Sequence, residues 1–246
     1  MIFLVFIFAT AALAAAIAAV AGFGIGSLLT PAFGLVVDTR VAVAAVSVPH
    51  AIGTAVRFWA LRRHVDRPVL WRFGIASAVG GLAGALLHSA AGVPWLTVIF
   101  GVLLLFVAAS ELSGLSRRMR FGGTVAWVAG VASGFFGGLV GNQGGIRSAA
   151  LLGFDLDKRA FVATATAVGL IVDAARMPVY VAGQSHDLAR WWVGIAVATV
   201  GVVLGTVFGG RVLTRLPDRL FRPALAVLLG LLGAAELLHG VALWRA

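Results

Sequence analysis

Asn142, Gln143 and Arg147 are the side chains in this sequence best suited to hold a small anion. They stand together in GNQGGIR, residues 141–147, between apolar stretches. Two amides and a guanidinium supply hydrogen-bond donors. Polar groups at depth in an apolar segment are costly, and function is the usual reason to keep them. A second glycine-rich stretch, GFGIGSLLTPAFGL over 22–35, matches GNQGGIRSAALLGF over 141–154 in length and pattern. Both open on glycine and then turn apolar. A ten-residue helix covers only about 15 Å, half the hydrocarbon core of a bilayer. The short helices that follow the glycines start near Ile25 and Gly145. Their N-termini would offer unpaired N–H groups and a positive dipole end to an anion. Gly24, Gly26 and Ser27 in the first break, with Gly144 and Gly145 in the second, complete this candidate site. The plainer reading of such glycines is tight helix packing, since GxxxG spacings abound here.

Two polar stripes follow the breaks. Ser47, His50, Thr54 and Arg57 share one helical face, and Thr166, Gly169, Asp173 and Arg176 share another. The two faces are expected to line one cavity from opposite sides. His50 either carries a proton, as an imidazole can near neutral pH, or makes a structural hydrogen bond to a carbonyl. Asp173 pairs with Arg176 one turn away, pairs with Arg147, or takes a coupling proton. Arg57 and Arg176 either touch substrate or snorkel from helix ends to the interface. Asp38 and Asp157 stand where helix caps belong. Glu111 and Glu236 read as helix-end charges, and Pro49 and Pro178 as kinks.

The elements that must position these residues follow from composition. The chain has 246 residues, 61% hydrophobic and 11% charged. Soluble domains carry about 25% charged residues. So little charge excludes a soluble globule or a disordered chain. Runs of about 20 apolar residues point to an all-α polytopic membrane protein. Cysteine is absent, which removes disulfides and thiol chemistry. The net charge of +10 comes from arginines in short loops, the pattern of cytoplasmic loops and not of nucleic-acid binding. Hydrophobic segments fall at 2–21, 41–61, 73–91, 95–113, 122–140, 160–182, 191–212 and 223–243. Most of the seven tryptophans fall near their ends, as an aromatic belt requires.

A shift of 119 residues brings Gly22 onto Gly141, Gly26 onto Gly145, Asp38 onto Asp157, Arg40 onto Arg159 and Arg57 onto Arg176. One insertion later, Gly74-Ile75-Ala76 falls on Gly194-Ile195-Ala196, and Glu111 has its counterpart in Glu236. The chain therefore reads as two repeats, 1–119 and 120–246. Loop 62–72 holds four arginines, 117–120 three and 211–222 four, whereas 88–95 has none and 183–190 only Arg190. The positive-inside rule places the first three loops in the cytoplasm and the last two outside. Segment 122–154 must then leave the cytoplasmic face and return to it, as a re-entrant hairpin. Each half has one hairpin and three crossings. Three is odd, so the halves are inverted and both termini lie outside.

Enzyme signatures are missing: there is no GxSxG, HExxH or P-loop. The five histidines are scattered, four of them at loops or helix ends, and no carboxylate cluster suggests a metal. No cofactor is expected. The residues AGFGIGSLLTP (21–31) and GFFGGLVGNQGGIRSAALLGFDLDKRAFVAT (134–164) resemble the sulfite exporter TauE/SafE family of membrane permeases, over nearly the whole chain. The resemblance implies an inverted duplicated fold and transport of sulfur-containing anions such as sulfite, sulfoacetate or other organosulfonates. The first break here is GFGIG, where many relatives carry a longer glycine run. The expectation is an inner-membrane carrier working by alternating access, with the lipid bilayer as its solvent. Proton or ion coupling and a homodimer are compatible with it. A passive anion channel is the alternative.

Overall fold

The computed structural model describes residues 1–114, 123–142, 144–209 and 218–245. Their regular structure is helical throughout: α1 (Ile2–Ala21), α2 (Ile25–Gly34), α3 (Thr39–Leu61), α4 (Arg67–Ala90), α5 (Val93–Ser113), α6 (Gly123–Val140), α7 (Gly144–Leu151), α8 (Lys158–Arg190), α9 (Trp192–Leu204) and α10 (Asp218–Leu243). Among the described residues, seven helices are long and apolar enough to cross a membrane. They are α1, α3, α4, α5, α8, α10 and α9, the last continued by a π-helical turn at Gly205–Gly209. The arginine-bearing segments 117–120 and 211–217 lie outside the described residues.

The ends of these helices have local causes. The Asp38 carboxylate accepts from the N–H of Val41 at 3.0 Å, and Asp66 does the same for Val69 at 2.9 Å. Asp157 accepts from Arg159 and Ala160 at 2.7 and 2.9 Å. The N–H groups of Ala160 and Arg159 hold its carboxyl below the usual carboxylate range. Both expected aspartate caps are therefore present. Gly22, at φ 81°, ends α1, and Gly141, at φ 74°, follows α6.

The segment 183–190, expected as an outer loop, is helical. Helix α8 runs on to Arg190 and absorbs its one non-helical residue at Gln184, φ −132°. No such departure occurs at Pro178, where a kink was expected. The polar residues there close the end of a long helix and need no loop.

The helices pack in an exchanged pattern. Helix α6 of the second half packs on α4 of the first, and α1 of the first half packs on α9 of the second. Helices α3 and α8 pack on each other, as do α5 and α10. Glycine lets these backbones approach: a Cβ at Gly84 would lie 2.0 Å from the Phe135 carbonyl, and one at Gly138 the same distance from that of Gly81. Close approach over small residues is how membrane helices gain contact without a hydrophobic driving force between them. The short helix α2 is anchored by Ile25, Leu29 and Phe33, spaced four apart, in a buried cluster with α1, α3 and α9. The α7 residues Ala150 and Leu151 are buried with Phe73 and Val168. Outside, Trp59, Trp71, Trp95, Trp127, Trp192 and Trp244 are exposed near helix ends.

Candidate functional site

The two breaks touch. A Cβ at Gly26 would lie 2.4 Å from the Gly141 carbonyl oxygen, and one at Gly144 would lie 2.0 Å from Phe23 Cβ. No other residue type fits either place. The Ser27 hydroxyl donates to Asn142 Oδ1 at 3.3 Å, and Arg147 Nη2 donates to the Gly22 carbonyl at 3.2 Å. A polar cavity of about 20 Å³ lies at this junction, bounded among others by Gly26, Ser27, His50, Arg57, Asn142, Gly144 and Arg147.

Several donors at and beside this cavity lack acceptors. Nε and Nη1 of Arg57, Nε and Nη1 of Arg147, Nδ2 of Asn142 and the Thr54 hydroxyl are all buried without a partner among the described residues. A buried donor left unsatisfied costs about 1–3 kcal/mol, more when charged. Folded proteins rarely keep several such groups in one place without a use. Arg57 is 7% exposed and Arg176 1%, so neither snorkels to the interface. Each points into the bundle.

Behind the cavity runs a chain of paired side chains. His50 Nδ1 meets Asp173 Oδ2 at 2.7 Å. Arg176 donates to Asp173 Oδ1 through Nε at 3.0 Å and approaches it through Nη2 at 2.8 Å. Asp173 thus joins Arg176 and His50, while Arg147 goes to the first break. Arg176 Nη1 then donates to the Gly137 carbonyl at 2.5 Å. The Tyr180 hydroxyl donates to the carbonyl of Gly138, and His88 Nδ1 donates to that of Leu139 at 2.7 Å. A carbonyl only accepts, so His88 carries its proton on Nδ1. Three side chains from α4 and α8 therefore cap three successive carbonyls in the last turn of α6. The Gly137 carbonyl also accepts from the Gly141 N–H at 3.0 Å, whereas those of Gly138 and Leu139 are among the groups a helix end leaves without an intrahelical partner.

The remaining expected residues sit as follows. Gly24, at φ 138°, turns toward Ile17 of its own hairpin. Gly145 faces α5: a Cβ there would meet Val107 at 2.6 Å. The Thr166 hydroxyl donates to Val162 of its own helix at 2.7 Å. A Cβ at Gly169 would come within 2.8 Å of Arg147 Nη1, so this glycine leaves the guanidinium its room. The second short helix begins at Gly144, one residue ahead of expectation. Gln143 lies outside the described residues.

Sequence reasoning does not find Tyr180 and His88. His88 falls near the end of α4, as expected, yet it is fully buried. The available signal is that Tyr180 is the sole tyrosine of the chain, placed one turn after Arg176.

Helices of this length and apolarity, joined through two broken hairpins, define an all-α polytopic membrane protein. The chain belongs to the sulfite exporter TauE/SafE family, whose model matches residues 7–235. That family consists of membrane transporters that export sulfite and related sulfur anions. No curated protein and no solved structure matches the chain.

Proposed function

We propose that the chain is a secondary carrier of small sulfur-containing anions such as sulfite, sulfoacetate or other organosulfonates. The anion is held between the two glycine breaks by Arg57, Arg147, Asn142 and the short-helix N-termini, with Ser27, His50 and Thr54 beside it. The observation that carries this reading is the set of buried, unpartnered donors on Arg57, Arg147 and Asn142 around one cavity. Preorganised donors in a water-poor site bind an oxyanion far better than they would in water.

The size of the cavity favours a carrier over a passive channel. About 20 Å³ is room for one water-sized sphere. An oxyanion therefore passes only if the breaks part, which is the movement alternating access requires. The exchanged packing, with α1 on α9 and α6 on α4, supports two inverted repeats divided near residue 119. The arginine counts of segments 62–72, 117–120 and 211–222, read by the positive-inside rule, support an inner-membrane orientation with both termini outside. The His50–Asp173 pair, 2.7 Å apart, is suited to take up a coupling proton.

The test is uptake of labelled sulfite and sulfoacetate into proteoliposomes, with and without a pH gradient. Saturable uptake with counterflow is expected, and Arg147→Ala should abolish it. Non-saturable flux without counterflow would establish the channel instead. Wild-type uptake by Arg147→Ala would remove Arg147 from the site.

A further inference from the structure

We infer that the site is built for an anion carrying two negative charges. This rests on the reading that Arg57, Arg147 and Asn142 hold the transported anion, and adds the charge of that anion. Among the described residues, the buried side chains of Arg, Lys, Asp and Glu type are Arg57, Arg147, Arg176 and Asp173. The single carboxylate of this group is committed. Its Oδ1 lies 3.0 and 2.8 Å from Nε and Nη2 of Arg176, and its Oδ2 holds His50. Guanidinium groups stay protonated in proteins. Arg57 and Arg147 therefore bring two positive charges to one cavity without a carboxylate to match them.

The local chemistry makes this imbalance specific. Arg57 lies at the position that matches Arg176, but Thr54 stands where Asp173 would be. The first-half guanidinium thus has no carboxylate of its own one turn away, is reached by the Asp173 charge only from a distance, and keeps its Nε and Nη1 unpartnered among the described residues. His50, the remaining titratable group at the cavity, has Nδ1 held by Asp173, and its protonation would only add positive charge. A monoanion would leave one guanidinium buried and uncompensated, the arrangement that low dielectric penalises most. A dianion neutralises both. Sulfite in its fully ionised form and sulfoacetate qualify, whereas a simple monosulfonate does not.

The experiment is calorimetric titration of the purified full-length protein with sulfite, sulfoacetate and methanesulfonate at one mildly alkaline pH, where the first two are dianions. The dianions should bind tighter than methanesulfonate by about tenfold or more. Arg57→Gln should erase that preference, and Arg57→Lys, which keeps the charge, should retain it. Equal affinity of the wild-type protein for all three overturns the inference, as does a preference that survives Arg57→Gln. In either case the anion site itself stands if Arg147→Gln loses binding of all three. Binding of none by folded wild-type protein overturns both the charge inference and the anion site.

Discussion

The two halves place the same frame around their breaks and use it differently. In the second half, Asp173 neutralises Arg176, which with Tyr180 and His88 caps the carbonyls of Gly137, Gly138 and Leu139. In the first half, the matching pair is Thr54 and Arg57, and Arg57 is left with unpartnered donors. The positions that match Tyr180 and His88 are Leu61 and Phe208, which have no donor to give. His50 and Gly169 also match. The histidine reaches across to Asp173, while the glycine leaves space for Arg147. On the proposed two-repeat reading, one scaffold serves both halves and a few exchanged side chains divide the labour. The second break is fixed from behind, and the first half contributes a guanidinium with unpartnered N–H groups and a break held by one long side chain.

The largest expected effect comes from breaking the fixed side. Asp173→Ala leaves Arg176 buried without its carboxylate and removes the partner of His50. Breaking a buried pair from one side costs about 3–5 kcal/mol. Thermal unfolding in detergent should show a large drop in Tm, and Asp173→Asn, which can still hydrogen-bond, a smaller one. An unchanged Tm for Asp173→Ala would show that the paired chain does not hold the second break.

The next variant makes the halves alike. Thr54→Asp places a carboxylate one turn before Arg57, with the spacing that joins Asp173 to Arg176. The protein should fold, because the new acid meets a guanidinium that lacks a partner. Transport should suffer, because that guanidinium is no longer free for the anion. Uptake is expected to fall about a hundredfold, equivalent to roughly 2.7 kcal/mol. Wild-type uptake would mean that the freedom of Arg57 is not what separates the halves.

Much of this division is legible in the residues themselves. The shift of 119 residues alone puts Thr54 opposite Asp173 and Arg57 opposite Arg176. Glycine clusters mark both breaks, because a helix cannot hold Gly22 or Gly141 at positive φ. Aspartates mark the starts of α3 and α8. Depth is harder to read. A periodic stripe fixes which face of α3 carries Arg57, but whether that face meets lipid, water or another break depends on long-range packing. Spacing therefore leaves snorkelling and substrate contact equally open for Arg57, and burial removes the snorkelling. The end of α8 misleads because GQSHDLAR resembles a loop in composition, while a helix that emerges from the apolar layer can be polar all round. Tyr180 and His88 escape for a different reason: their partners are backbone carbonyls, and a carbonyl released by a helix end leaves no mark in side-chain spacing.

The smallest effect is also the most local test of the comparison. Tyr180→Phe removes one hydroxyl, keeps the ring beside His88 at a centroid distance of 4.9 Å, and leaves the Gly138 carbonyl without that donor. A single buried hydrogen bond of this kind is worth about 1 kcal/mol. The fold should survive, and the change should be confined to the last turn of α6 and the break that follows. Hydrogen exchange reads that directly. In the wild-type protein the amides after Gly22 should exchange faster than those after Gly141, because only the second break is anchored at its preceding turn by three side chains. Tyr180→Phe should narrow the gap by speeding the second break alone. Equal exchange at both breaks in the wild-type protein would dissolve the contrast. If Tyr180→Phe instead sped both together, the breaks would open as one unit, and the contacts of Gly26 with Gly141 and of Gly144 with Phe23 would matter more than the caps behind them.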